Sequence, residues 1–521
     1  MKTTLRILGT SDLHGYLFSH SYANNTKANL GISNVLPIIQ KSREVFDNVL
    51  LLDNGDTIQG SPLTYFHNKY KNDKKHFMCD LMNEIQFDAV NIGNHEFNYG
   101  IDYLQSYTDN LNCPVVCCNI NKNGQKLYKD YIVKQYDNGL RLAVTGAVTH
   151  YIPHWEQSKN IESMDFEDAF ESLKRKVKEI REKETIDFLV VMYHGGFEKD
   201  IDTGQDDETN TGENQGYRML TEIEGIDLLL TGHQHRTIAY SDKRGTSILQ
   251  PTCNGIEIAA LDVEFVQKDN GFVINKKQAQ IIRPTIIYEE TSMFNGIAPL
   301  ESDLQEWLDI PIGNLKTGNL LIDDLHQARL NKHDIVQFIN DVQLEISGAD
   351  ISLNALANSV TGFNNNITYR DIISTYIYPN TLSVLKIDGK TLKKALHQNV
   401  QYLALKDDSI VVRDKYIYPK PQHYNYDMYD GISYDIIVGE EESSIENLSF
   451  KGHLIQDEDT FSIVMNNYRA SGGGEFAMFP AVEVLAEIQT DMVEIIADYI
   501  MKYKVIDVVN AKNITVKKQH N

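Results

Sequence analysis

The sequence predicts an α/β domain followed by a second domain of α+β type, and three observations predict it. Short apolar runs alternate with helix-period stretches as far as about residue 283. That order breaks over 286–310, and beyond it hairpin and helix signals begin a different pattern. A chain of 521 residues is also too long for one hydrophobic core and fits two or three.

The apolar runs of the first domain lie at 5–8, 49–52, 89–92, 142–145, 188–192 and 228–230, and "VVCCNI" at 115–120 also reads as strand. Between them, "FEDAFESLKRKVKEIREKE" carries Phe166, Phe170, Leu173, Val177 and Ile180 at helical spacing, which marks a core-facing helix. These runs place the first domain at 1–285. "YEETSMFNGIAPLESDLQEWLDIPIG" predicts a polar-faced linker helix within 286–310, ending before Pro311. The second domain then covers 311–521. In it "TLSVLKIDGKTLKKALHQNVQYLAL" reads as a strand, an Asp-Gly turn and an amphipathic helix through Leu392, Leu396, Val400 and Leu403. "TDMVEIIADYIMKY" predicts a last helix with Met492, Ile495, Ile496 and Tyr499 on its apolar side.

Composition narrows the partners. With 42% hydrophobic and 23% charged residues the chain reads as an ordinary globular protein. Its net charge of −24 repels polyanions, so no nucleic-acid polymer is expected as partner, and an anionic substrate needs local cations. No run approaches the length of a membrane span, so no membrane partner is expected either. The five cysteines, Cys79, Cys113, Cys117, Cys118 and Cys253, are odd in number and irregularly spaced, which argues against a disulfide framework. "MKTTLRILGTSDLHG" enters a strand pattern at once, without a leader pattern. A cytoplasmic, reducing compartment is the expectation; a secreted protein trimmed of its leader would read the same.

Five segments of the first domain share one design, an apolar strand running straight into metal-competent residues. They are "LRILGTSDLHG", "VLLLDNGD", "AVNIGNHE", "LVVMYHGG" and "LLLTGHQH". Carboxyl ends of strands in an α/β sheet gather at one edge, which lets Asp12, His14, Asp56, Asn94, His194, His233 and His235 converge. One such end alone reads as a capped turn; five in chain order point to a pocket of carboxylates and imidazoles. Two divalent ions about 4 Å apart need a bridging carboxylate, and such a pair can polarise a phosphoryl oxygen and hold a hydroxide for in-line attack. Imidazole with carboxylate or amide oxygen suits manganese first, with zinc, iron, magnesium or cobalt as alternatives, and no cysteine stands at a ligand position.

Asp-x-His, Gly-Asp, Gly-Asn-His-Glu, a histidine after a strand and Gly-His-x-His together resemble the five-block signature of the calcineurin-like metallophosphoesterases. With the second domain the chain resembles the 5′-nucleotidase family over nearly its whole length. "DNGDTIQGSPL", "GNHEFNYGIDYL", "YIYPNTL" and "MNNYRASGG" are similar to the branch of bifunctional 2′,3′-cyclic-nucleotide 2′-phosphodiesterase/3′-nucleotidases. The resemblance implies a four-layer αββα metallophosphoesterase domain, a linker helix and a C-terminal α+β 5′-nucleotidase-type domain. It implies one ion held by Asp12, His14, Asp56 and His235. The other is held by Asp56, Asn94, His194 and His233, with Asp56 bridging. Asn94 also faces the substrate, and His95 matches the family's catalytic histidine, which stabilises phosphoryl charge or protonates the leaving oxygen. Asn98 is its partner and a departure: many 5′-nucleotidases carry Asp there, and an amide can orient the ring without supplying that charge. Glu96, Phe97, Tyr99 and Gly100 read as support, and Gln234 as a spacer.

In the second domain Tyr378 and Tyr468 match the family's base-stacking aromatics and Asn380 a base-contacting amide. Gly472 and Gly473, with Gly474 after them, let backbone approach the nucleotide. Glu475 follows where the 5′-nucleotidase branch often has Asp directly after the double Gly. No arginine lies near "ISGADISLNALANS", where Asn354 and Asn358 are the polar alternatives. The acidic stretches "EKDIDTGQDDETNTGEN" and "GEEESSIEN" read as solvated loops, the first as an alternative lid. The expected activity is hydrolysis of 2′,3′-cyclic nucleotides to 3′-nucleotides and then to nucleosides and phosphate. A 5′-nucleotidase or nucleotide-sugar hydrolase is the alternative, and an inactive nucleotide-binding scaffold the minor one.

Overall fold

The computed structural model describes residues 2–519 apart from 23, 72–74, 155, 207–211, 243, 269–270, 286–291, 379, 419 and 489. The chain divides into two compact units, Met1–Leu304 and Gln305–Asn521. Of the expected linker, 286–291 lie outside the described residues. The helix of that segment is Ala298–Leu308, and the division falls within it. No helix among the described residues is long and apolar enough to cross a membrane.

Two sheets build the first unit. One has five strands in the order Gly271–Ile282, Ile258–Lys268, Lys2–Thr10, Asn48–Asp53, Ala89–Val90, the last three parallel. The other has six, with Ser247–Gln250, Leu228–Thr231, Phe188–His194 and Arg141–Val148 parallel, flanked by antiparallel Ile238–Ser241 and Tyr131–Gln135. Strand side chains alternate between faces, so a strand covered on both sides must be apolar throughout. Leu142, Val144, Val190 and Met192 accordingly point toward the other sheet, where they meet Leu5, Ile7, Leu50, Leu52 and Ala259. Ala143, Leu189, Val191 and Leu229 point outward, onto Phe170, Leu173, Val177 and Ile180 of the helix Ala169–Lys183. Helix Leu36–Val45 packs beside Asn48–Asp53 of the first sheet, which completes the four layers.

Three local expectations are corrected. Phe166 ends the strand Met164–Phe166, because Asp168 caps the helix through the Glu171 amide and starts it at Ala169. "VVCCNI" makes only isolated bridges, Val90 with Val115 and Val116 with Lys129, before a strand starts at Ile120. The helix that follows Leu382–Asp388 is Gly389–Val400, capped by the Asp388 carboxylate, which accepts from the Thr391 amide, and Leu403 lies past its end and starts the strand Leu403–Lys406.

The second unit centres on a five-stranded mixed sheet in the order Asp427–Asp430, Ile351–Ala355, Thr460–Asn466, Leu382–Asp388, Glu483–Ile488. Helix Asp334–Ser347 packs on its first three strands. Helix Met492–Tyr503 buries Met492, Ile495 and Ile496 of the stripe read from its spacing, with Ile500 beside them, while Tyr499 is half-buried.

Candidate functional site

All seven candidate ligands stand at the carboxyl ends of first-unit strands or on the loops that leave them. His194 is the last residue of Phe188–His194, and Asp12, Asp56, Asn94 and His233 lie two to four residues past their strands. Five of the seven adopt left-handed backbone: Asp12 (φ 55°), His14 (50°), Asp56 (56°), His233 (69°) and His235 (53°). Each such non-glycine residue is strained by about 1–3 kcal/mol, and such outliers cluster at functional sites. The loops brace each other. The Asp12 amide donates to the Gly55 carbonyl at 2.9 Å, and the His14 amide to the Asp56 carbonyl at 2.8 Å. Glu96, fully buried, accepts from the amides of Asp56 (2.8 Å), Thr57 (2.5 Å), Ile58 (3.3 Å) and Gly93 (2.7 Å), so it shapes the loop that carries Asp56. Gly93 must be glycine, since a Cβ there would sit 2.2 Å from Asp56 Oδ1.

The side chains gather in two adjoining groups, Asp12 with His14 and His235, and Asp56 with His194 and His233. His14 donates from Nδ1 to the Gln59 carbonyl at 2.9 Å, so its Nε2 lone pair faces His235 Nε2, 3.1 Å away. His194 donates from Nδ1 to the Asn54 carbonyl at 2.8 Å. That leaves its buried Nε2 without a hydrogen bond, although Asp56 Oδ2 lies 3.0 Å away at a poor angle. His233 donates from Nε2 to Glu213 Oε1 at 2.7 Å, which turns its Nδ1 lone pair toward a second acceptor, Asn94 Oδ1, at 2.9 Å. Acceptors that face acceptors need a proton or a cation between them. The residues present therefore fit a pair of divalent ions, with the outer ring nitrogens of His14, His194 and His233 held as those of metal-ligating imidazoles usually are.

Titration follows the same logic. Burial opposes charge on His194, but Asp56 and Asp12 overcome it and raise the ring to about 10. Burial likewise opposes charge on His235, which Cys253 and Asp12 raise to about 10. Burial and the neighbouring His235 push His14 down to about 4. Burial would raise the Asp56 carboxyl, yet His194 and His95 hold it well below the usual range. In the absence of metal, protons on two imidazoles balance the carboxylates.

His95 sits beside this cluster, its ring 5.2 Å from that of His14 and its amide donating to Asp56 Oδ1 at 2.8 Å. Its Nδ1 meets Asn98 Oδ1 at 2.6 Å. Phe97 is buried, and Tyr99 packs on Tyr103 as scaffold. Gln234 is more than a spacer: its amide accepts from the Phe197 amide at 2.9 Å and donates to the Phe197 carbonyl at 3.0 Å, which ties the two histidine loops together. Glu213 corrects the reading of its acidic stretch as solvated, because it orients His233. Its signal was the Gly-Glu-Asn-Gln end of a polar run, which carries no period. Part of that run, 207–211, lies outside the described residues.

In the second unit Tyr378 and Tyr468 flank the ends of neighbouring strands. Leu382 pairs with Asn466, so Tyr378 precedes one strand and Tyr468 follows the other at the same end. The Asn467 amide donating to the Thr381 carbonyl at 2.9 Å carries the pairing to that end. Tyr378 is 39% exposed, and a Cβ on Gly473 would lie 2.5 Å from the Tyr468 ring. Gly472 has φ 95°, and the buried Arg469 holds this loop by donating to the Gly473 carbonyl while it pairs with buried Asp427 at 2.8 Å. The Asn380 carbonyl accepts from the Met492 amide at 2.9 Å. Asn354 is buried in its strand, and Asn358 spends both ends of its amide on the backbone of Pro421 (2.9 Å) and His423 (3.0 Å).

Residues 5–237 match the family model described as calcineurin-like phosphoesterase, and 311–481 that of the 5′-nucleotidase C-terminal domain. A crystal structure from Staphylococcus aureus, of a protein described as a 5′-nucleotidase and bound to α-ketoglutarate, is 33% identical. It superposes with a TM-score of 0.90 over 99% of this chain and 100% of its own. A 2′,3′-cyclic-nucleotide 2′-phosphodiesterase/3′-nucleotidase from Salmonella typhimurium is 28% identical over 90% of this chain and 81% of its own length. A trifunctional nucleotide phosphoesterase from Bacillus subtilis is 25% identical over 96% of this chain, which spans 38% of that relative.

Proposed function

This chain belongs to the 5′-nucleotidase family of calcineurin-like phosphoesterases, hydrolases acting on phosphoric ester bonds, and from that premise we propose its substrate and mechanism. It converts 2′,3′-cyclic nucleotides to 3′-nucleotides and then to nucleosides and phosphate at a dinuclear centre, with manganese as the native metal. The observation that carries the reading is the convergence of seven donors on two adjoining groups, with acceptors facing acceptors and five residues in left-handed backbone. When bound, two divalent ions supply Lewis-acid polarisation of the phosphoryl oxygen and make water a usable nucleophile near neutral pH. Asp12, His14 and His235 hold one and Asn94, His194 and His233 the other, with Asp56 between the groups.

His95, held by Asn98 through Nδ1, keeps Nε2 for the transferring phosphoryl group or the leaving oxygen. Tyr378 and Tyr468 stack the base, and the Gly472–Gly473 backbone approaches the ribose. The cyclic and 3′ branch is supported by Asn98 and by the name of the Salmonella relative. A 5′-nucleotidase or nucleotide-sugar hydrolase is the second reading, favoured by the description of the Staphylococcus relative.

The test is product analysis on manganese-loaded protein given 2′,3′-cyclic AMP, 3′-AMP, 5′-AMP and a nucleotide sugar separately. Conversion of the cyclic nucleotide to 3′-AMP and then adenosine is expected. A dominant rate on 5′-AMP would overturn the branch, and no hydrolysis of any of the four would overturn the activity.

A further inference from the structure

Asn98 creates a problem that the surrounding structure answers. A carboxylate offers the same acceptor from either oxygen, so it holds a histidine Nδ1–H whichever way it turns. An amide does not. If the Asn98 side chain flips, it presents Nδ2–H to the ring and makes Nδ1 the acceptor, so that Nε2 carries the ring proton instead. Something has to fix the amide, and it must be an acceptor placed on the far side.

Glu156 is in that place. Asn98 Nδ2 donates to Glu156 Oε2 at 2.6 Å, which turns Asn98 Oδ1 onto His95 Nδ1, also at 2.6 Å. The other oxygen, Oε1, accepts from the Gln157 amide at 2.8 Å and from Asn160 Nδ2 at 2.8 Å. Burial pushes this carboxyl up, and the three N–H donors that converge on it oppose that shift and suit the ionised form. Asn160 also donates to the Asn98 carbonyl at 3.0 Å, so one side chain fastens both the carboxylate and the backbone of the residue it controls. Glu156 lies in none of the five motif segments.

We propose that Glu156 is a positioning residue for the phosphoryl-transfer reaction: it locks the Asn98 amide in one orientation and so holds His95 as an Nδ1–H donor with Nε2 directed to chemistry. The relay His95–Asn98–Glu156 returns, one residue removed, the negative charge that Asn98 lacks. It rests on the role given to His95 above, and the controls below separate the two.

Glu156→Gln, Asn98→Asp, the double variant and His95→Ala test it. A glutamine at 156 cannot accept from all three donors. Asn98→Asp alone sets two carboxylates at the 2.6 Å contact. Each single variant should therefore lose tenfold or more in kcat with KM little changed, a share of the ~10²–10⁴ that a positioned proton donor contributes. The double variant should recover to within about threefold of the unmodified protein, a non-additivity that marks residues in direct contact. Glu156→Gln should also slow 3′-AMP more than p-nitrophenyl phosphate, whose leaving group needs no proton. The ¹⁵N shifts of His95, assigned by its loss in His95→Ala, should report Nδ1 protonated in the metal-free protein and mixed in Glu156→Gln.

Additive losses in the double variant, equal slowing of both substrates or unchanged ¹⁵N shifts would overturn the proposal. If His95→Ala itself leaves the 3′-AMP rate intact, the role of His95 fails as well. If only the Glu156 arms fail, His95 stands and the relay falls.

Discussion

Glu213 gives a direct test of the metal centre, because its side chain holds no candidate ligand position yet fixes one. Its carboxylate accepts from His233 Nε2 at 2.7 Å and thereby directs Nδ1 to the site. A hydrogen bond to a charged group is worth about 1.5–3 kcal/mol when buried. The Glu213 side chain is 29% exposed, so solvent screens part of it and the lower half of that range applies. At 1.4 kcal/mol per tenfold, Glu213→Ala should weaken metal binding at the group containing His233 by about 10- to 40-fold. Glu213→Gln should lie between, since an amide oxygen still accepts but carries no charge. The assay is competition titration of metal-free protein against a chromophoric chelator, resolving two classes of site. Only one class should move, and the melting temperature of the metal-free protein should change little. A Glu213→Ala affinity within twofold of the unmodified protein at both sites would refute the reasoning.

Three further outcomes are expected. Asp56→Ala, which removes the carboxylate grouped with His194 and His233 and proposed above to serve both ions, should reduce bound metal below two equivalents by elemental analysis and abolish hydrolysis. His194 and His235, raised from 6.5 to about 10, stabilise the metal-free fold fully below pH about 6.5 and lose that contribution as pH rises through about 10. Metal must displace those protons, so calorimetry in buffers of different ionisation enthalpy should show proton release, and the rise in melting temperature on adding manganese should be larger at pH 8.5 than at pH 6. Tyr378→Ala and Tyr468→Ala should each raise KM for nucleotides by about 5- to 150-fold, from ~1–3 kcal/mol of stacking, and leave KM for p-nitrophenyl phosphate unchanged.

The strands of the first unit were legible because burial on both faces leaves only apolar residues, a signal that survives without long-range information. The candidate ligands were legible for a related reason: each sits within four residues of such a strand, where chain direction alone dictates which edge it reaches. What the sequence hid depends on contacts across the chain. Glu213 lies 20 residues from His233 and Glu156 lies 58 from Asn98, both in polar stretches without a period. Local competition hid the rest. Asp168 caps its helix and displaces Phe166 from it, and Leu403, three residues past the end of Gly389–Val400, starts a strand instead.

The backbone at the centre links stability to function. Five ligand positions in left-handed conformation store about 1–3 kcal/mol each, which local sequence preference does not repay. Glu96 offsets part of it with four amide hydrogen bonds around Asp56, and the braced loops offset more. The strain also has a geometric result: it turns the loop so that Asp12 and His14 aim at one point from a single short segment, while His233 and His235 reach one group each. Regular strand would send residues i and i+2 to the same face but about 7 Å apart, too far for donors that lie within 4.8 Å of one another here. The glycines flanking these residues follow from the same crowding, since a Cβ at Gly232 would meet Ser11 Oγ at 2.2 Å. Strain, glycine placement and donor convergence are thus one feature, and a variant that relaxes the loops should bind metal less tightly even with every ligand in place.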